Sequence, residues 1–358
     1  MQLAPAARCL LLSYPHCLEV WRLGNTSSTS GPIGSVLPLD EGEPCKLLEV
    51  RVKPGEMVTT SAISRCGRFL AYTTTARLRL LRLSLTEGEA SLERVTVADP
   101  PEDIHHLCLP AGKLITVSPH GLTVFTITST GAEMEKTVAL SELGLTGAVT
   151  RLSHTESVMV LADTQDTMVT VNLNSYSLVS RLASYSQTAS ISALAVSPDS
   201  STCLVTYTNN RIMEHHLDTG KYTQFSREEA VKLPKSWLSR RTPVTDIVHL
   251  AGNPDLILMK DHEVLAVLDK EKQMPEPSSK LYFTDPRATP DTDSVSVSSL
   301  GSRLEQAMSS GLRMSRKYEH LVSLHHLAGD ELVAEEVKPS VIESQLPPSL
   351  KQKKFGQL

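Results

Sequence analysis

A loosely repeated unit constrains the fold of this chain more than any other feature of its sequence. The clearest copy spans residues 190–222, where the segments ISALAV, TCLVTY and RIMEHHL read as short β-strands separated by the turn-forming segments PDSS, TNN and DTG. Similar units precede and follow it. Aligned on the residue that ends the first strand, the copies lie 46, 43, 44 and 52 residues apart, at Ser64, Pro110, Ser153, Ser197 and His249.

A partial copy opens the chain at residues 9–23, and a late one, at 324–330, resembles the segment 248–253. Blades of a WD40 propeller recur every ~40–45 residues, and propellers contain about four to eight of them. The repeat therefore predicts an all-β, WD40-like β-propeller with about seven degenerate blades. Where the Trp-Asp pair would end a third strand, the chain has Trp21-Arg22, Leu81-Arg82, Phe125-Thr126, Val171-Asn172 and His215-His216. We therefore expect the buried Asp network of such repeats to be largely missing.

The composition of the chain divides it into four parts. We expect residues 1–271 to carry the propeller blades and 272–317 to form a disordered Pro/Ser/Thr/Asp-rich insertion between the last two blades, with a short helix from Ser302. Residues 318–345 form the closing blade and 346–358 a basic tail. Within the blades, the segment 226–238 is predicted to be a short helix that Ser226 caps and Pro234 ends.

Charge and cysteine usage exclude several classes of protein. The net charge is −5 and aromatic residues make up 4% of the chain, which argues against a dedicated nucleic-acid module. The six cysteines form no C-x-x-C pair, which indicates free thiols in the cytosol or nucleus. No apolar run approaches the ~20 residues that span a bilayer, and the start of the chain does not read as a signal peptide.

Catalytic and metal-binding motifs are missing from the sequence. The adjacent histidines of each pair point to opposite faces of a strand, so we interpret the pairs His105-His106, His215-His216 and His325-His326 as structural. Asp163, Asp166 and Asp199 are interpreted as turn residues. We expect no catalytic residue, metal or cofactor, and therefore no enzyme. A propeller hydrolase, which needs inner-strand carboxylates or a nucleophile–His pair, remains an alternative, as does an adaptor in a ubiquitin ligase or a vesicle coat.

Arginines cluster in one of the predicted blades. Arg77 and Arg79 share one face of a strand, and Arg82 lies on the other face. Such clusters are most often solvated surface. They can also contact phosphates locally, even in a protein whose total charge is acidic.

Three segments carry a family resemblance that periodicity alone does not give. The runs KYTQFSR (221–227) and WLSRRTPVT (237–245), and the ending QLPPSLKQKKFG (345–356), resemble the cirhin-like WD-repeat proteins of the nucleolus. Those proteins have two tandem propellers, and this chain resembles the second. The resemblance implies a nuclear and nucleolar scaffold of the early small-subunit processome on the 5′ external transcribed spacer of pre-ribosomal RNA, supporting processing of that RNA and maturation of 18S ribosomal RNA.

The implied partners are other WD-repeat and helical proteins of that subcomplex, with RNA contacted indirectly or secondarily, and with no membrane or small-molecule substrate. Interface energy concentrates in buried aromatic residues and arginines. The candidate partner-binding residues are therefore Trp237, Arg240, Arg241, Lys351, Lys353 and Lys354. Two interpretations of Trp237 stay open, because it can either anchor a partner or cap the edge of the propeller.

Overall fold

The computed structural model describes residues 1–24, 44–85, 90–185, 188–278, 310–315, 321–327, 331–337 and 344. Within these residues the strands form seven antiparallel sheets, each built from strands that follow one another along the chain. The sheets are the blades of a β-propeller, which confirms the predicted fold class and the approximate number of blades.

The first three blades each contain four strands. The first blade consists of β1 (Gln2–Ala4), β2 (Cys9–Ser13), β3 (Cys17–Arg22) and β4 (Cys45–Arg51). The second consists of β5 (Val58–Ile63), β6 (Phe69–Thr74), β7 (Leu78–Leu85) and β8 (Ala90–Val95). The third consists of β9 (His106–Cys108), β10 (Lys113–Ser118), β11 (Gly121–Ile127) and β12 (Ala132–Ala139).

The remaining blades differ in their number of described strands. The fourth has β13 (Val149–His154), β14 (Val158–Asp163), β15 (Met168–Asn172) and β16 (Leu178–Arg181). The fifth has β17 (Ile191–Val196), β18 (Thr202–Tyr207) and β19 (Ile212–His216). The sixth has β20 (Asp246–Leu250), β21 (Asn253–Lys260), β22 (Leu265–Asp269) and β23 (Leu312–Ser315), and the seventh has β24 (Leu321–His326) and β25 (Leu332–Glu336).

The hydrophobic core lies between neighbouring blades. Each strand turns alternate side chains to its two faces, so a blade can pack on the blade before it and the blade after it. Five buried clusters join blades one and two, two and three, three and four, four and five, and five and six. In the second blade, for example, Leu80 packs toward the third blade, whereas Leu81 packs toward the first.

The ring closes between its first and last blades. The Arg8 guanidinium Nη1, in the turn before β2, lies 2.7 Å from Oε2 of Glu331, immediately before β25. Around the ring, the first strands of neighbouring blades lie side by side, as β1 does with β5 and β20 with β24. Each blade therefore contacts mainly the two beside it.

The insertion interrupts a blade instead of separating two blades. Leu312, which lies within the predicted insertion of residues 272–317, begins β23, and this strand pairs with β22 as the fourth strand of the sixth blade. The prediction was wrong here because Leu312 and Met314 are buried while Arg313 and Ser315 are partly exposed, a two-residue period that fits a strand. The helix predicted from Ser302 and most of the insertion lie outside the described residues.

Two buried aspartates accept hydrogen bonds from the backbone of their turns, although the sequence lacks the Trp-Asp pairs of WD40 repeats. The Asp163 side chain is 1% exposed and accepts backbone N–H bonds of 2.9–3.1 Å from Thr146, Gly147, Gln165 and Thr167. Asp261, also 1% exposed, accepts from the N–H groups of Glu263 and Val264 at 2.7 and 2.8 Å. The expectation was therefore wrong for the fourth and sixth blades, where the turn between the second and third strands supplies the carboxylate.

Buried histidines make the stability of the propeller depend on pH. Burial, followed by the N-terminal ammonium group and Lys260, lowers the pKa of His325 to about 4. Burial also lowers the pKa of His154 and of His249. Between the folded pKa and the unfolded value near 6.5, the unfolded chain binds more protons, so acidification favours unfolding.

We therefore expect the free energy of unfolding to fall as the pH is lowered from 7 toward 4, with each such histidine contributing up to about 1.4 kcal/mol per pH unit. Urea unfolding at several pH values measures this slope. The His325→Asn variant, which cannot titrate, should show a shallower slope than the parent chain. An equal slope in the two proteins would contradict the assignment for His325.

Candidate functional site

The segment between the third strand of the fifth blade and the first strand of the sixth, residues 217–245, is here called the connector. It contains two of the three runs that resemble the cirhin-like proteins, 221–227 and 237–245. It holds helix α1 (Gln224–Glu228), a 3-10 turn (Ala230–Lys232) and helix α2 (Lys235–Leu238). No described helix is long and apolar enough to cross a membrane.

The predicted single helix over 226–238 is divided in the structure. Thr223, not Ser226, is the N-cap of α1, and its side chain accepts a bond from the Ser226 N–H. Leu233 is extended (φ −50°, ψ 134°) because the ring of Pro234 disfavours helical backbone in the preceding residue. Pro234 therefore ends the first helical part, as predicted, and a second short helix begins directly after it.

The connector takes the place of a fourth strand in the fifth blade. The backbone N–H of Glu214 on β19 donates to Ser226 Oγ at 2.5 Å, and the Thr223 N–H donates to the Glu214 carbonyl at 3.0 Å. The His216 N–H donates to the Lys221 carbonyl at 2.8 Å. These bonds satisfy backbone groups that the edge of a three-stranded sheet would otherwise expose.

A buried ion pair fixes the start of the connector to the sixth blade. The Glu214 carboxylate, on a residue that is 3% exposed, receives the Lys270 ammonium at 2.9 Å and the Thr223 hydroxyl at 2.8 Å. Burial acts to lower the pKa of Lys270, but hydrogen bonding and charge attraction from Glu214 outweigh it, and the pKa is raised. Glu214 is thus a structural residue that joins a strand, a helix cap and the next blade.

Trp237 lies inside the protein. Its side chain is fully buried in the cluster shared by the fifth and sixth blades, and its indole N–H donates to the carbonyl of Asn210 at 2.6 Å. The Asn210 side chain donates in turn to the Arg240 carbonyl at 2.8 Å. This position favours the edge-capping interpretation over a direct partner contact, because a wholly buried ring offers no surface to a partner.

Arg240 is also directed into the fold. Its guanidinium lies over the Trp237 ring, 4.5 Å from the ring centre, and forms an ion pair with Asp261. The two side chains are 7% and 0% exposed. The Thr242 hydroxyl donates to the same Asp261 carboxylate at 3.1 Å. The structure therefore brings two of the predicted site residues together, but in a buried network that anchors the connector to the sixth blade.

The outer side of the connector carries exposed residues. Arg241 is exposed, next to the buried Arg240. The Val231 side chain, on the 3-10 turn, is 64% exposed, the largest value among the exposed large apolar side chains of the described residues. Basic residues also lie exposed along the connector, namely Arg227, Lys232 and Lys235. We call Val231 with Arg227, Lys232, Lys235 and Arg241 the outer connector surface. Acidic groups lie on the same side, because Glu228 is exposed and the Lys232 ammonium forms an ion pair with Glu229 at 2.7 Å. Arginine is enriched at protein interfaces, so Arg227 and Arg241 are the residues of this surface best suited to a protein partner.

Sequence reasoning identified Arg241 but missed Val231. The segment EEAVKLP gave no signal, because the apolar residues beside Val231, Ala230 and Leu233, are buried while Val231 is exposed. Lys351, Lys353 and Lys354 lie outside the described residues. Among the described residues, no group of three or more His, Cys, Asp or Glu side chains is placed to hold a metal ion.

Comparison with known proteins supports the resemblance over nearly the whole chain. The U3 small nucleolar RNA-associated protein 4 homolog of Mus musculus is 28% identical over 351 residues, and that of Homo sapiens is 27% identical over 353 residues. Each alignment covers 97% of this chain and 49% of the relative, so the chain spans about half the length of the curated relatives it matches. These relatives are the cirhin proteins to which the sequence runs are similar.

No family model matches the chain. Among solved structures, the crystal structure of Kluyvelomyces marxianus Hsv2 aligns with 75% of this chain and 75% of its own, with a TM-score of 0.49 and 10% sequence identity.

Proposed function

We propose that this chain is a non-catalytic propeller scaffold of ribosome biogenesis that acts in the nucleolus. The observation that carries the proposal is similarity over 97% of the chain to proteins named for their association with U3 small nucleolar RNA. The chain corresponds to the second of the two propellers of the cirhin-like proteins. Its role is to assemble the early small-subunit processome on the 5′ external transcribed spacer of pre-ribosomal RNA, and so to support maturation of 18S ribosomal RNA.

The outer connector surface is the part of this chain that binds a processome protein. The connector is held rigidly by the Glu214–Lys270 and Arg240–Asp261 ion pairs, so its exposed residues keep one arrangement before a partner arrives. A rigid surface reduces the conformational entropy that binding costs. Exposed Val231 supplies apolar contact area, and Arg241 supplies charge complementarity to an acidic partner.

Affinity purification of the tagged chain from cell extract, with its proteins and RNA identified, tests this function. We expect early processome proteins and pre-ribosomal RNA to be recovered, and the protein partners to persist after RNA digestion. The Val231→Asp/Arg241→Asp double variant should lose at least one of those proteins. Val179→Asp on the fourth blade, whose side chain is 43% exposed, is the control and should retain them.

Recovery of ubiquitin-ligase or coat subunits without processome proteins would contradict the proposed function. Retention of every protein by the double variant would leave the scaffold role in place and reject the outer connector surface as its interface.

A further inference from the structure

A row of arginines crosses the face of the second blade that is turned toward the first. Tyr72 on β6 pairs directly with Arg79 on β7, and Leu81 on β7 pairs with Arg94 on β8. Arg79 and Leu81 are two residues apart and share a face, so Arg79 is the diagonal neighbour of Arg94. Tyr72 and Leu81 pack in the core cluster formed with the first blade, which identifies the direction of this face.

The described residues neutralise only part of the positive charge of this row. Arg77, at the start of the row, forms an ion pair with Glu56 at 2.7 Å. Arg82 points to the other face, where it pairs with Glu93 at 2.9 Å and donates to the Thr128 carbonyl at 3.0 Å. In the part of the chain that the structure describes, no carboxylate lies within ion-pair distance of Arg79 or Arg94. Two guanidinium groups therefore remain available for an external anion.

The surroundings of Arg79 disfavour its positive charge. Burial lowers the pKa of Arg79, and repulsion from Arg94 and then Arg77 lowers it further. Arg94 is exposed, whereas Arg79 is only partly so. An anion that reaches both groups would relieve the repulsion between like charges. It would also meet a partly desolvated guanidinium, where hydrogen bonds to charge are stronger than in water.

We propose that Arg79 and Arg94 bind neighbouring phosphates of an RNA strand that crosses the outer edge of the second blade, where Arg94 lies exposed on β8. The choice of RNA over other polyanions rests on the proposed function. The planar guanidinium fork donates two parallel bonds to a phosphate, a geometry that lysine does not reproduce. Because the site consists of two guanidinium groups, it contributes few phosphate contacts. It adds an RNA contact to a chain whose net charge is −5, without making it a general nucleic-acid binder.

Fluorescence anisotropy of a labelled oligouridylate of about 15 nucleotides, titrated with the purified full chain at several chloride concentrations, tests the site. We expect a shallow salt dependence, and we expect Arg79→Gln/Arg94→Gln to weaken binding about tenfold or more at low salt. The logarithmic salt slope should shrink by about 0.7 for each phosphate contact removed. Arg65→Gln/Arg68→Gln removes the same charge from the exposed turn at the opposite end of the strands and should bind like the parent chain.

Two further variants separate charge from folding. Arg79→Lys/Arg94→Lys should keep most of the salt slope, because the charges remain, while losing part of the affinity that bidentate bonding supplies. Urea unfolding of each variant shows whether the second blade is intact. If the double Gln variant unfolds, the single variant Arg94→Gln replaces it, because Arg94 is exposed and its substitution should leave the fold intact. Arg94→Gln must then reduce the salt slope of RNA binding.

Equal binding by the Gln variant and the parent chain would overturn the proposal. So would a poly-glutamate peptide that binds this site more tightly than the RNA, since the surface would then recognise an acidic protein. The anisotropy titration and the affinity purification can fail independently. Loss of RNA binding in the titration would not affect the proposed scaffold role. Absence of processome proteins from the affinity purification would not affect RNA binding by Arg79 and Arg94.

Discussion

Trp237→Ala is expected to lower the free energy of unfolding by about 3–5 kcal/mol. The ring is fully buried between the fifth and sixth blades, so its removal leaves a cavity in that core. It also leaves the Asn210 carbonyl without the indole N–H and removes the aromatic face beneath Arg240. Urea unfolding of the purified chain, followed by circular dichroism, measures the loss.

The chain supplies a matched control, because its only other tryptophan is Trp21. That residue is partly exposed on β3, where its indole donates to Glu19 at 2.9 Å, and Trp21→Ala should cost clearly less. The alternative interpretation, in which Trp237 contacts a partner, predicts a stable variant with weaker retention in the complex. A loss below about 1 kcal/mol for Trp237→Ala would favour that alternative over the cavity argument.

Arg240→Met is also expected to lower the free energy of unfolding by about 3–5 kcal/mol. Asp261 is fully buried as a side chain and would lose the guanidinium that neutralises it. The remaining donors are the Thr242 hydroxyl and the N–H groups of Glu263 and Val264, which bear no full charge. The expected loss in the free energy of unfolding arises because the buried Asp261 carboxylate is left unpaired. It therefore measures the cost of removing one partner, and not the net contribution of the ion pair to stability.

Arg241→Met is the control for this experiment, because it removes the same charge one residue further along. Its side chain is exposed, so the change in unfolding free energy should be within about 0.5 kcal/mol. The double variant Arg240→Met/Asp261→Asn should recover part of the loss, since it removes the uncompensated charge. Similar losses for Arg240→Met and Arg241→Met would contradict the buried ion pair.

Local pattern was sufficient to predict where each blade begins, but not β23, the fourth strand of the sixth blade. The first strand of each aligned repeat ends within two residues of the predicted position, as with β5 before Ser64 and β17 before Ser197. Turn chemistry also identified Asp163 correctly, because an Asp side chain can reach the N–H groups of its own turn. These features depend on residues close together in the sequence, where periodicity and side-chain type carry the information.

The candidate site could not be predicted in the same way. Arg240 and Arg241 look equivalent in the sequence, and only the position of Asp261 in the next blade decides which of them is buried. Trp237 is the kind of residue found at interfaces and also in cores, and its partner Asn210 is 27 residues away. The availability of Arg79 depends on which carboxylates the sheet register brings to Arg77 and Arg82.

The Arg8–Glu331 ion pair has a consequence for the order in which the ring is made. The two residues are 323 positions apart, whereas the other junctions join blades that are neighbours in the chain. All four strands of the first blade come from residues 2–51, so this blade can form without a strand from the C-terminal part of the chain. The entropy cost of closing a loop rises with its length, so we expect the seam between the first and last blades to be the final junction to assemble.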